Sequence, residues 1–183
     1  LPLPGYTHMQ RAMPATVAMW LGSYADAFAD LSQVQLSALN LIDQNPLGSA
    51  AGFGINVSID IDRSATTKQL GFKRTQENPM YCGMSRGYFE LLTLQALQPS
   101  SLLAGRFAQD MLLYTTTEFG FFRLPEKYLT GSSIMPQKNN YDLFEIMRGN
   151  SSLMSGYVSQ TANLAGSLTS GYQRDLQLLK SVL

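Results

Sequence analysis

Charge is scarce in this chain. Asp, Glu, Lys and Arg make up 14% of its 183 residues, against roughly 25% in ordinary soluble domains. The two signs cancel to a net charge of +0, so no basic field points to nucleic acid or to an anionic membrane. A surface this poor in charge is expected to be covered by partner subunits or by further chain. There is one cysteine, Cys82, which rules out an internal disulfide and fits a reducing compartment. Taken by itself, it reads as a small buried side chain. No apolar run approaches the ~18 residues that point to a membrane span. The opening residues Leu1-Pro2-Leu3-Pro4 carry no Met and no basic-then-apolar leader, so no signal peptide is expected. A cytoplasmic location is the expectation. Also missing are an internal repeat, a low-complexity linker and any strand-period segment of useful length.

What the chain has is helical periodicity. Pro14 is predicted at the first position of a helix. From there Val17, Leu21, Tyr24, Phe28 and Leu31 recur at steps of four and three, followed by Ala38 and Ile42, with Asp26, Asp30 and Gln33 off the stripe. This predicts a helix of about 30 residues, on the order of 45 Å long. Asn45-Pro46-Leu47-Gly48 ends it, and a Gly-rich loop runs to about Asn56. Further helices are predicted at 60–70, stopped by Gly71, from Asn78-Pro79 to Leu97, from Ser101 to Phe122 after Pro99-Ser100, and from Tyr141 to Ala165. A last helix spans Tyr172 to Leu183. The reading is all-α, one domain over 1–183 built as a bundle of long helices.

The most informative stretch is 131–148, Gly-Ser-Ser-Ile-Met-Pro-Gln-Lys-Asn-Asn-Tyr-Asp-Leu-Phe-Glu-Ile-Met-Arg. Its first half is loop chemistry, and its second half is a helix start with Asp142 in the first turn, where the helix dipole favours an anion. A Gly-Ser-Ser segment can carry a hydroxyl over a pocket. Lys138 can clamp an anion, and Asn140, two residues on, can donate to a developing oxyanion.

Gly-Ser-Ser-Ile-Met-Pro-Gln-Lys-x-Asn resembles the signature loop of the fumarase/aspartase superfamily, and the Met-Pro-Gln-Lys version is similar to that of its argininosuccinate lyase branch. Four other segments resemble that family in the same order: Pro4-Gly5-Tyr6-Thr7-His8-Met9-Gln10-Arg11-Ala12, Asn45-Pro46-Leu47-Gly48-Ser49, Glu118-Phe119-Gly120-Phe121, and Tyr172-Gln173-Arg174-Asp175-Leu176-Gln177 with Lys180. The resemblance covers nearly the whole chain. It implies the central helical domain of such an enzyme, the N-terminal block and C-terminal small domain of the family having no counterpart here. The family's reaction is the reversible elimination of argininosuccinate to fumarate and L-arginine, a step of arginine biosynthesis, with no metal and no organic cofactor. The resemblance also implies a homotetramer whose central helices form a shared core and whose active sites each draw on three chains. This chain alone is not expected to be active.

The same resemblance assigns roles. Ser132 is the proton-abstracting residue, with Ser133 as the alternative hydroxyl. Lys138 and Asn140 hold the substrate carboxylate and offset the charge that builds on it. His8, the single histidine, is a candidate acid or base, since an imidazole exchanges protons near neutrality. Glu145 is the carboxylate that orients a histidine; without the resemblance it is a helix-surface partner of Arg148 at i, i+3. Thr7, Gln10, Ser49 and Arg86 are further substrate contacts, although the spacing around Arg86 is off by one residue. Tyr172, Gln177 and Lys180 match the contacts to the amino-acid half of argininosuccinate.

The sequence departs from the family at two places. Asn139 and Tyr141 stand where Lys and Pro are usual, and the lost Pro frees the backbone beside a key donor. Leu178 and Leu179 replace two acidic residues. These departures keep two alternatives open: a sister lyase acting on another succinyl adduct (adenylosuccinate, or the aspartate/fumarate type), and an inactive structural relative of the crystallin kind.

Overall fold

In a computed structural model of the chain, residues 1–55 and 60–182 are described. Asn56, the expected end of the Gly-rich loop, and Leu183, the expected end of the last helix, lie outside them. The elements are β1 (Pro2–Thr7), β2 (Gln10–Thr16), α1 (Val17–Ile42), β3 (Gln44–Asn45), α2 (Arg63–Leu70), β4 (Arg74–Thr75), α3 (Pro79–Met84), α4 (Tyr88–Tyr114), β5 (Thr130–Gly131), β6 (Asn139–Asn140) and α5 (Asp142–Gly166). Short 3-10 helices cover Glu126–Tyr128 and Arg174–Ser181. Three helices of 26, 27 and 25 residues dominate, which bears out the all-α, long-helix reading. Among the described residues, no helix is long and apolar enough to cross a membrane.

By its contacts the chain divides into two compact units, one of Leu1–Ser32 with Pro99–Met154, the other of Gln33–Gln98 with Ser155–Leu183. In the first, Ala108, Met111 and Phe144 form a buried cluster against Trp20, Phe107 and Phe122. Trp20 is stacked on Phe107 and Phe122 at 5.5 and 5.3 Å. The Asp110 carboxylate accepts Trp20 Nε1–H at 2.9 Å and the Tyr24 hydroxyl at 2.6 Å. Burial first, then the bond to Asp110, push the Tyr24 phenol above its ordinary range; burial and the same carboxylate do so for Tyr114. Gly105 lets α4 and α5 touch, because a Cβ there would fall on Ser151 Oγ and lie 2.8 Å from Ser151 Cβ.

In the second unit Asn45 is fully buried. Its amide donates to Thr66 Oγ1 at 3.0 Å and Thr67 Oγ1 at 2.9 Å, and its side-chain oxygen accepts Leu47 N–H at 3.0 Å. Backbone pairing of β3 with β4 runs parallel beside it. Such a site is a polar core satisfied bond by bond. As predicted, α2 stops at Gly71, a left-handed cap at φ 76, and α3 opens on the Asn78 cap with Pro79 inside. The Asp62 cap of α2 accepts the Ser64 hydroxyl and the Ala65 and Ser64 N–H groups, in that unit's clearest helix start. The hydroxyl bond and then the backbone donors hold its carboxyl below the usual range.

Four expectations need correction. Residues 2–16 form an antiparallel hairpin, and Pro14 faces Pro4 across it instead of opening α1. The helix starts three residues later, where Thr16 Oγ1 accepts Met19 N–H at 3.0 Å as its cap. The helix predicted from Asn78 to Leu97 breaks after Met84, because Gly87 takes φ +78 and a Cβ there would lie 2.7 Å from Leu176 Cδ2. Conversely, Pro99 does not break α4, which runs through it and ends at Tyr114 rather than Phe122. There Thr115 and Thr116 turn their hydroxyls back to Met111 and Leu113 carbonyls, and the Tyr114 carbonyl accepts the N–H groups of Phe121 and Phe122. The last segment is 3-10, not α-helical, burying Leu176 and Leu179 one turn apart.

Candidate functional site

The first unit carries two hairpins with candidate residues at their tips. His8 and Met9 make the two-residue turn between β1 and β2, both with positive φ, 51 and 62. Such turns favour Asn-Gly, and a non-glycine pair there stores strain of order 1–3 kcal/mol per residue, a feature that clusters at functional sites. Thr7 and Gln10 pair directly below the turn. The hairpin is anchored by Tyr6, whose ring lies 5.5 Å from Phe119 and 6.2 Å from Phe121. Gly120, at φ 55, makes the bend between those two rings.

The second hairpin pairs Thr130 with Asn140 and Gly131 with Asn139, closing 132–138 into a loop. Ser132 is half-buried while Ser133 is exposed. Ser132 Oγ accepts the N–H groups of Met135 at 3.1 Å and Ile134 at 3.3 Å. Lys138 N–H bonds the Met135 carbonyl at 3.0 Å, and the Asn140 amide lies 3.5 Å from the Gly131 carbonyl. Lys138 is exposed and Asn140 half-buried. Two N–H dipoles aimed at one hydroxyl oxygen stabilise negative charge on it, the requirement for a serine that removes a proton.

Asp142 and Glu145 sit in the first turn of α5, where the helix dipole suits anions. Arg148 donates to Gln109 at 2.6 Å, and among the described residues no ion pair joins it to Glu145. Among the described residues, no hydrogen bond or ion pair joins His8 to Glu145 or to Ser132.

The second unit brings Ser49, Arg86 and Tyr172 to the wall of one cavity of about 630 Å³. That size suits a small-molecule site. Gln44, Gln76 and Glu90 share the wall and were not legible as candidates; the only signal for Gln44 and Gln76 was polarity two residues before Pro46 and Asn78, and Glu90 had none. Glu90 accepts Gly87 N–H at 2.6 Å, next to Arg86. Gln177 and Lys180 do not line the cavity. They lie exposed three residues apart on the 3-10 segment, a spacing that eclipses side chains in such a helix.

Over residues 1–156 the sequence matches the family described as lyase. The chain belongs to this lyase family. It is 45% identical over all 183 residues to an argininosuccinate lyase of Xanthomonas oryzae pv. oryzae (strain PXO99A), covering 42% of that protein. It is 46% identical over the same span to an argininosuccinate lyase of Stenotrophomonas maltophilia (strain R551-3), again covering 42%. The chain therefore spans about two fifths of the length of these curated lyase relatives. In fold it is similar to the class II fumarase of Schistosoma mansoni, with a TM-score of 0.83 at 23% identity over 99% of this chain and 42% of that one.

Proposed function

We propose that this chain is the central helical part of a cytoplasmic argininosuccinate lyase that splits argininosuccinate reversibly into L-arginine and fumarate in arginine biosynthesis. The similarity to two argininosuccinate lyases along its entire length supports the substrate. The observation that carries the chemistry is the Ser132 hydroxyl, which receives two backbone N–H groups inside a closed loop.

In this reading Ser132 first loses its own proton to solvent. The alkoxide, held by the two N–H groups, takes a proton from the succinyl carbon next to the carboxylate and becomes a hydroxyl again. The electron pair moves into that carboxylate, and Lys138 with Asn140 offset the charge. Collapse forms the fumarate double bond and breaks the carbon–nitrogen bond, and the leaving guanidino nitrogen gains a proton. His8, oriented by Glu145, supplies it. Thr7, Gln10, Ser49 and Arg86 hold the substrate, and Tyr172, Gln177 and Lys180 read its arginine end.

His8 and Glu145 are unjoined here because their partners come from other copies of the chain, in a homotetramer with composite sites. The exposed apolar side chains of α1, such as Met19, Leu36 and Leu39, are the surface that assembly would cover. No metal or organic cofactor enters this scheme.

The test is fumarate release by the full-length protein, followed by ultraviolet absorbance, with argininosuccinate and with adenylosuccinate. Release from argininosuccinate is expected. Release from adenylosuccinate alone reassigns the protein to a sister lyase, and release from neither makes it an inactive structural relative.

A further inference from the structure

Two irregular segments of the second unit border its cavity: Pro46–Gly52, which includes Ser49, and the stretch around Gln76. One side chain holds both. Arg63, the first residue of α2, donates Nε–H to the Leu47 carbonyl at 2.7 Å, Nη2–H to the Gln76 carbonyl at 2.6 Å, and Nη1–H to the Glu77 carbonyl at 3.0 Å. Leu47 stands two residues before Ser49. Gln76 lines the cavity itself, and its amide donates to Ser85 Oγ at 2.9 Å, immediately before Arg86.

The Arg63 stem is fixed as well as its head. Gly48 takes φ +87, and a Cβ there would lie 2.9 Å from Arg63 Cδ and 3.0 Å from Nε. A long side chain usually yields to such a neighbour, but this one is tied at its far end by three bonds. The planar fork of a guanidinium can serve three carbonyls at once, whereas an ammonium is a point charge on a flexible stem.

We infer that Arg63 is a positioning residue that sets the gap between the Ser49 wall and the Gln76–Ser85–Arg86 wall of the cavity, and so governs substrate affinity. This rests on the lyase reading for the identity of the substrate, but not for the geometry.

The test uses the full-length protein carrying Arg63→Lys, and separately Gly48→Ala, which crowds the same stem. Kinetics with argininosuccinate should show KM raised about tenfold or more with kcat within about threefold, the pattern of lost binding shared by ground and transition states. Hydrogen exchange read by mass spectrometry needs no substrate. Arg63→Lys should speed exchange in both 46–52 and 76–78 while leaving α4 unchanged. Variants that are folded, with KM and exchange in both segments like the wild type, overturn the inference. A variant that only lowers the unfolding temperature, with KM unmoved, overturns it too and leaves Arg63 a stability residue. If the wild type does not turn over argininosuccinate, the lyase reading fails, and the exchange pattern alone decides for or against Arg63.

Discussion

Ser132 Oγ accepts the backbone N–H of Met135, three residues ahead, at 3.1 Å. The bond folds the loop onto its own hydroxyl and leaves the hydroxyl proton free to leave. If this oxygen is the base, Ser132→Ala should lower turnover at least ~10²-fold, the lower end for losing a positioned general base, with substrate still bound. Ser133→Ala should stay near wild type. Steady-state kinetics with a binding titration checks both, and the reverse result would move the role one residue along.

Lys180→Met keeps much of the stem and removes the charge. Loss of a charge-assisted bond costs about 1.5 to 3 kcal/mol, roughly 10- to 150-fold in affinity. Calorimetric titration should show arginine and argininosuccinate weakened by that much and fumarate hardly at all. Equal weakening of fumarate would remove Lys180 from the arginine end.

Gly105→Ala tests the contact of α4 with α5. Alanine favours a helix by up to ~1 kcal/mol, but the new methyl would collide with buried Ser151. Overpacking of about 1–3 kcal/mol should win, so denaturant unfolding should shift to lower concentration. Adding Ser151→Gly, which clears both atoms in the way, should recover part of the loss. A Gly105→Ala protein as stable as wild type would mean the helices have room.

Tyr24 gives an alkaline signature. Its folded pKa is raised above the unfolded value, so its contribution is fully present below pH ~10 and is lost as pH rises through the folded value. Tyr24→Phe should be less stable than wild type at neutrality, and the gap should narrow above pH ~10. Unfolding curves across that range check it, and a gap that stays constant would sink the idea.

The long helices were legible because apolar residues recur every three or four positions for many turns, and the caps at Asn78 and Gly71 have one residue type each that explains them. The hairpin over 2–16 was hidden because its turn is His8-Met9, without glycine or asparagine, and because Pro4 and Pro14 argue against strands. Pro99 misled in the other direction, since packing along 27 residues of α4 outweighs one lost backbone bond. Of the candidate site, the loop residues stand out in the sequence because Gly, Ser, Lys and Asn have no apolar reason to occur together. Gln44, Gln76 and Glu90 carried no such mark, because only folding brings them to one wall.

The indole of Trp20 is the only one in the sequence, and it lies wholly within the first unit, bonded to Asp110 and faced by Phe107 and Phe122. Nature has thereby labelled one unit and left the other dark. Emission excited at the red edge, where tyrosine does not absorb, reports the aromatic cluster behind the Ser132 and His8 hairpins and is silent about the cavity around Arg86. Melting of the two units can therefore be separated without any engineered probe, by setting fluorescence against circular dichroism of the whole chain.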